Sequence, residues 1–254
     1  MQGTVPITFK IMRKLSIILL LFLTTGITYS QKSYLGFNLG SSISKGDFAG
    51  TEYLFTDGYA LPGFTVQFDG MYYPISFVGV GGIIGFGSLY GDRDNYLQNL
   101  IDYSYTESEI PLFGSAPERS EVDFESGFWN YVNLMVGPEL SVPFGRFQFG
   151  VKGMGGMALS FYPKREMSYN TGIGQLKASV KGPGLSLGYL YGASLIYRGR
   201  SGTGIKLTAD YTHSTAPYDF ELTLDSDFES FSDIREETVN VEHLNLMIGI
   251  FYLF

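Results

Sequence analysis

The chain has 254 residues, of which 17% are charged and 16% aromatic, with 33 Gly, no Cys and a formal net charge of −8. Average globular chains carry about 25% charged residues, so this one is short of charge and rich in Tyr and Phe, a composition suited to strands and tight corners. The lack of Cys excludes a disulfide scaffold, a thiolate metal site, a Cys nucleophile and a lipidated N-terminal Cys, and the acidic balance argues against nucleic-acid binding because phosphates would be repelled.

In chain order, the first feature is MRKLSIILLLFLTTGITYSQ, starting at Met12. Arg13 and Lys14 form a positive n-region, Leu15 to Leu23 a short apolar core, and Thr28 and Ser30 small residues before a cleavage point. This predicts a secretory signal cut after Ser30. A membrane anchor is the alternative, but a spanning helix needs about 20 apolar residues and this run breaks at Thr24, Thr25 and Gly26. Residues 1–30 are thus expected to be a start extension and a cleaved signal peptide, and residues 31–254 the mature domain. No stretch in 31–254 reaches helical spanning length, so a membrane-embedded mature chain would have to be a closed barrel.

Eight segments of the mature chain follow a period of two. They are 34–40, GFTVQFDGMYY (63–73), 77–90, WNYVNLMVGPELSV (129–142), 146–162, 184–197, TGIKLTADYTH (203–213) and 243–254. In the clearest, Phe147, Phe149, Val151, Met157, Leu159 and Phe161 alternate with Gln148, Gly150, Lys152, Ala158 and Ser160. Short turn-like links fall at 73–76, 143–146 and 198–202, and long links at about 44–60, 91–127, 163–183 and 214–238. The long links hold most of the acids, including Asp92, Glu107, Glu125, Asp219, Glu221, Asp225 and Glu237. An even strand count with short turns on one rim and long loops on the other predicts an all-β, eight-stranded antiparallel up-and-down transmembrane β-barrel with short periplasmic turns and long extracellular loops. A soluble lipocalin-like barrel is the alternative, but its outward face would be a Gly, Ser, Met and Gln row with few charges.

The chain ends MIGIFYLF. Gly249, Tyr252 and Phe254 resemble the C-terminal assembly signal of outer-membrane barrels, with Met247 where that pattern prefers a polar residue. With the eight segments, the chain resembles the porin-like outer-membrane β-barrel domain family of Gram-negative bacteria, similar in shape to the small barrels of outer membrane protein A and X type. The resemblance implies an outer-membrane location, contact with outer-membrane lipids and lipopolysaccharide, and engagement of the barrel-assembly machinery through the C-terminal residues.

Eight strands enclose a lumen that side chains just fill, so no open porin channel is expected. The inward rows and strand ends carry Asp69, Glu139, Lys152, Arg198, Lys206 and Asp210, whose opposite charges are expected to pair as a structural network because unpaired buried charge is costly. An ion path is the alternative. His213 beside Ser214 and Thr215 invites comparison with barrel lipid A deacylases, but the spacing does not match and no carboxylate can be assigned as orienter. Asp225, Asp227 and Glu229 could hold a divalent cation but lack a loop fingerprint. GIGFGS and GTGIK are incomplete as nucleotide motifs. DNYLQNLIDY (94–103) is expected to form a short amphipathic helix, lid-like or packed on the rim, with Tyr96, Leu97, Leu100 and Ile101 as candidates for contact with a surface partner. The expectation is a non-enzymatic envelope or surface-interaction barrel without cofactor or metal. The alternatives are a narrow channel for small solutes or hydrophobic molecules and, behind it, a lipid A-modifying enzyme.

Overall fold

Period-two alternation becomes strand wherever the sequence predicts it, and in places where the sequence predicts loop. The computed structural model describes residues 33–106, 117, 121–170, 174–181, 183–226 and 230–254, and the expected export segment lies outside them. In chain order the strands are β1 (Tyr34–Ser44), β2 (Ala60–Ile75), β3 (Val78–Gly91), β4 (Asp123–Ser126), β5 (Trp129–Phe144), β6 (Phe147–Phe161), β7 (Arg165–Asn170), β8 (Gly174–Lys181), β9 (Pro183–Arg198), β10 (Thr203–Ser226) and β11 (Ser230–Leu253). A single helical turn, α1 (Gly46–Ala49), follows β1, and a longer helix, α2 (Arg93–Thr106), follows β3.

The order β11-β1-β2-β3-β5-β6-β9-β10, with β10 pairing back to β11, closes eight strands into an antiparallel ring. Tight turns join its members at one end, two of them using glycines in the left-handed region, Gly145 (φ 64°) and Gly202 (φ 83°). Across the ring wall the alternation is inside out. Leu35, Phe68, Val136, Leu187 and Ile250 are exposed, while Asn38, Gln67, Asp69, Lys152, Lys206 and Asp210 are buried. Exposed aromatics collect at two levels, Tyr72, Phe144, Phe147, Tyr197 and Tyr252 near the tight turns and Tyr90, Phe128, Phe161, Tyr189 and Tyr191 near the long connections. An apolar wall between two aromatic girdles is the outer surface of a transmembrane barrel.

The long connections differ from the expectation. The first strand runs to Ser44 instead of stopping at Gly40, and the acidic segment 214–238 is largely strand. β10 and β11 leave the ring as a continuous hairpin paired from Thr203–Tyr252 to Asp225–Ser230. β8, β7 and β4 add to the free side of β10, giving a sheet of order β11-β10-β8-β7-β4 beyond the ring. Asp219, Glu221, Asp225 and Glu236 stand on strands with exposed side chains, whereas Asp233, on the inward parity of β11, accepts from the Tyr103 hydroxyl of helix α2 at 2.6 Å.

The same parity carries opposite polarity along each long strand. In the ring, β10 turns Ile205 and Leu207 outward and Lys206, Thr208 and Asp210 inward; beyond it, Asp219 and Glu221 are exposed and Ala216, Tyr218, Phe220 and Leu222 buried. β11 inverts at the same level, from buried Val239 and Val241 to buried His243 and Asn245. Ser214 pairs with Val241 and Thr212 with His243, so both strands change together. The physical cause is a change of solvent outside the wall, from hydrocarbon to water.

This boundary is measurable. Leu207→Arg, in the middle of the apolar wall, should cost about 2–4 kcal/mol of folding stability in lipid vesicles, whereas Asp219→Lys, beyond the inversion, should stay within about 0.5 kcal/mol. Urea unfolding in vesicles reads both.

Candidate functional site

The lumen gathers all six charged residues expected inside. Lys206 ion-pairs with Asp69, and its Nζ also donates to the Tyr34 hydroxyl at 2.9 Å. Asn38 Nδ2 donates to the other oxygen of Asp69 at 2.7 Å. Lys152 Nζ lies 2.9 Å from Asp210 Oδ2, to which Gln67 Nε2 also donates at 3.1 Å. Glu139 is held by hydroxyls: Tyr73 donates to it at 2.5 Å, and the Tyr34 hydroxyl lies 3.4 Å from its second oxygen. Arg198, at the tight-turn end, donates to Gln148, whose Nε2 donates to Tyr73 at 3.2 Å. The six charges therefore form two ion pairs and one hydrogen-bonded relay from Arg198 to Glu139. Tyr34, Asn38, Gln67, Tyr73 and Gln148 are site residues that the sequence did not single out, although each lies on the inward parity of its strand.

Missing side chains make room for these groups. A Cβ on Gly36 would sit 2.6 Å from Asp69 Oδ1, and one on Gly150 would sit 2.8 Å from Glu139 Oε1. One on Gly192 would collide with Asp210 Oδ1. Each buried carboxylate thus rests on an inward glycine of another strand, and the close packing leaves charged groups against their partners instead of water.

Above the network the mouth is closed by an apolar cap. The connection 45–59, helix α2 and the segments around β4 and β7 bring Phe48, Tyr59, Tyr96, Leu100, Trp129 and Tyr162 into one cluster with Phe220 and Leu222 of the hairpin. Trp129 Nε1 donates to Gly58 O at 2.7 Å. Arg165 lies buried at the centre, its guanidinium 3.8 Å from the Tyr96 ring centroid, 5.2 Å from that of Tyr162 and 5.5 Å from that of Tyr59. It also donates to Gly58 O at 3.3 Å and to the Tyr162 hydroxyl at 3.1 Å. One arginine therefore ties the first two long connections to the third through aromatic faces, which stabilise a desolvated cation. Tyr59 itself has φ 52°, a strained value for a bulky residue, held by Asp92 N donating to its carbonyl at 2.7 Å and by Asn99 on its hydroxyl at 2.5 Å.

The cap corrects the expectation for α2. Tyr96, Leu97, Leu100 and Ile101 do lie on one helical face, but all four are at most 5% exposed, packed into the cluster over the mouth. They are not available to a partner, because an apolar stripe beside an open barrel mouth gains more by covering it than by facing water.

Two other motifs resolve differently. His213 does have a carboxylate, Glu242, at 3.1 Å, and Glu242 also accepts from the Tyr211 hydroxyl at 2.7 Å. Ser214, however, is buried in the inward row, while His213 lies half-buried on the outer wall against Tyr189. Successive strand residues point to opposite faces, so His213 cannot activate Ser214. Asp225 pairs with Lys177 at 3.1 Å, Asp227 and Glu229 lie outside the described residues, and no group of three metal-ligating side chains occurs among the described residues. At the C-terminal strand, Gly249 packs against Asn38 and the Phe37 carbonyl, while Tyr252 and Phe254 face outward.

Two outcomes follow. Lys152→Met should destabilise the barrel by about 3–5 kcal/mol by stranding Asp210, and adding Asp210→Leu should restore much of the loss; unfolding in lipid measures both. In the cap, burial, with Asp57 acting the same way, pushes the Tyr59 phenol up to about 12 against the pull of Asn99 and Arg165. Burial also raises Tyr96, Tyr162 and Tyr218. Because the folded value exceeds the unfolded one of about 10, the cap keeps its full stability below pH about 10 and loses it as the pH rises toward 12. Fluorescence of Trp129, the single Trp, should report that loosening.

No protein-family model matches the chain, and no curated protein matches it in sequence. Among solved structures it is similar to the outer membrane protease OmpT of Escherichia coli, at 10% identity and a TM-score of 0.44 over 88% of this chain and 97% of that one. It is also similar to a major outer membrane protein of Thermus thermophilus, at 12% identity and 0.43, and to Ail, the attachment invasion locus protein of Yersinia pestis, at 14% and 0.39, each over 88% of this chain and 100% of that one. The fold is carried by the chain's own ring and not by these likenesses. Eight antiparallel strands closed without an edge, with apolar side chains outside and paired polar side chains inside, give this chain the architecture of the small outer-membrane β-barrel proteins.

Proposed function

We propose that the protein is a closed, non-enzymatic integral outer-membrane barrel that holds a rigid sheet outside the membrane, serving envelope integrity or surface interaction. The observation that carries this reading is the double seal, a lumen crossed by the Lys206–Asp69 and Lys152–Asp210 pairs and a mouth covered by the cluster around Arg165. A solute path would have to break both. The exposed part is the sheet β11-β10-β8-β7-β4, whose outer face carries Asp123, Glu125, Glu166, Glu221 and Asp225 and takes over the contact role that the sequence suggests for α2. Lipopolysaccharide and other outer-membrane lipids are the proposed surroundings of the apolar wall. The assembly machinery is the proposed reader of Gly249, Tyr252 and Phe254, of which the two aromatics stay exposed in the folded barrel.

A narrow channel is the competing function, and planar-bilayer recording separates the two. The purified barrel should show no stable open conductance, and Arg165→Ala, which loosens the cap alone, should also stay closed because the lumen pairs remain. Stable openings in the unaltered protein would refute the closed-barrel reading.

A further inference from the structure

We infer that the free edge of β11 outside the membrane is a docking site for an extended, cationic polypeptide strand of a surface partner. Within the ring β11 is paired on both sides, but its pairing with β1 ends at Ser44–His243 while its pairing with β10 continues to Asp225–Ser230. Three hydrogen bonds fix the direction of its backbone groups. Lys45 N donates to Glu242 O and Phe254 N to Ser33 O on the β1 side, whereas Leu253 N donates to Gly202 O on the β10 side. The register with β10 has no shift, and the direction of the backbone groups alternates along a strand. Even-numbered residues of β11 therefore turn N–H and C=O away from β10. Asn240 lies beside α1, where its side chain donates to Asp47 at 3.2 Å. Beyond it, the backbone groups of Ser232, Ile234, Glu236 and Thr238 have no partner among the described residues. The bare edge from Ser232 to Thr238 is about 20 Å long, the length of an ordinary strand.

A bare edge is a template for another strand, and proteins usually blunt it. The opposite edge of the outer sheet is blunted: β4 is only Asp123–Ser126, with Asp123 and Glu125 exposed. Ser232–Thr238 contains no proline, lysine or bulge, and Ile234 near its middle is 65% exposed. The side chains beside this edge select the occupant. On the outward face Glu236 stands opposite Asp219 of β10 and Ile234 opposite Glu221, and all four are exposed. Neither Glu221 nor Glu236 forms an ion pair among the described residues. An antiparallel strand added here sets its outward side chains about 5 Å from this row. Lysine or arginine in those positions meets the carboxylates and covers Ile234 with its aliphatic stem, while an acidic strand is repelled. The backbone ladder supplies affinity and the acidic row supplies selection. A second copy fits worse. Two barrels standing in one membrane are related by an axis along the membrane normal, so their β11 strands cannot run antiparallel through the same edge, and both rows are acidic. The inference rests on the outer sheet's proposed role in surface interaction and names the partner class for it.

Amide exchange of the protein in phosphatidylcholine nanodiscs, followed by NMR, tests the edge directly. In the protein alone the amides of Ser232, Ile234, Glu236 and Thr238 should exchange fast, and those of Asp233, Arg235 and Glu237, bonded to β10, slowly. The probe is a peptide of about ten residues that alternates Lys with Thr. It should slow the even-numbered set about tenfold or more, and the same peptide with Glu in place of Lys should not. Ile234→Pro removes an N–H that β10 does not use. The odd-numbered amides should then stay protected while affinity for the Lys–Thr peptide falls about tenfold or more. A Lys–Thr peptide N-methylated at its lysine backbone nitrogens should lose affinity to the same degree, a readout that needs no variant of the protein. Glu236→Lys should shift the preference toward the Glu–Thr peptide. The inference is overturned by even-numbered amides already protected in the protein alone, which with concentration dependence would mark a second copy. It is overturned equally by Lys–Thr binding that leaves them unprotected, by no binding, or by equal binding of the N-methylated peptide. Those results would leave the closed barrel intact, and open conductance would refute the closed barrel without touching the edge.

Discussion

Closure of the sheet governs the whole molecule. Backbone N–H and C=O groups in hydrocarbon have no water to turn to, and an open strand edge would leave a row of them bare. The pairing of β11 with both β1 and β10 removes that edge. Once the ring is closed, its circumference is set by eight strands, and its lumen is narrow enough that inward side chains must fit against one another.

That narrowness explains the distribution of glycine and charge. Inward charges are tolerated because Asp69 and Asp210 each have an ammonium partner and Glu139 has tyrosine hydroxyls. They fit because Gly36, Gly150 and Gly192 give up their side chains at those places. These inward glycines are, in the ring, the complement of the carboxylates. The resulting lumen is crossed by the Lys152–Asp210 and Lys206–Asp69 ion pairs.

Beyond the ring the chain solves a different problem. Water outside the wall allows polar residues to face outward, and the apolar residues turn in to form the cap. Arg165 sits where the long connections meet, its charge held by tyrosine faces and carbonyls without a carboxylate at hydrogen-bonding distance among the described residues. Barrel and cap are thus two cores of different construction, the barrel's mixing paired charges with Met71, Ile83, Met135, Met154 and Phe251 and the cap's built of aromatic and aliphatic side chains around Arg165, sharing the continuous strands β10 and β11.

The faces of the strands are legible in the order of amino acids alone. Alternation in segments such as Arg146–Tyr162 and 203–213 places Lys152, Lys206 and Asp210 in the lumen, and the paucity of charge on the opposite face points to lipid, because side-chain direction in a strand is a local, period-two property. The parity of the acidic hairpin is equally present in Tyr218, Phe220 and Leu222, but the polarity inversion obscures it, and that inversion has meaning only once the height of the membrane boundary is known. Folding in three dimensions settles the rest: which charges meet, that Tyr34 and Tyr73 hold Glu139, that His213 and Ser214 face opposite ways at the rim, and that Tyr96, Leu97, Leu100 and Ile101 seal the mouth instead of meeting a partner. These depend on residues far apart in the chain being brought to one level of one closed ring, which strand register sets and local pattern does not encode.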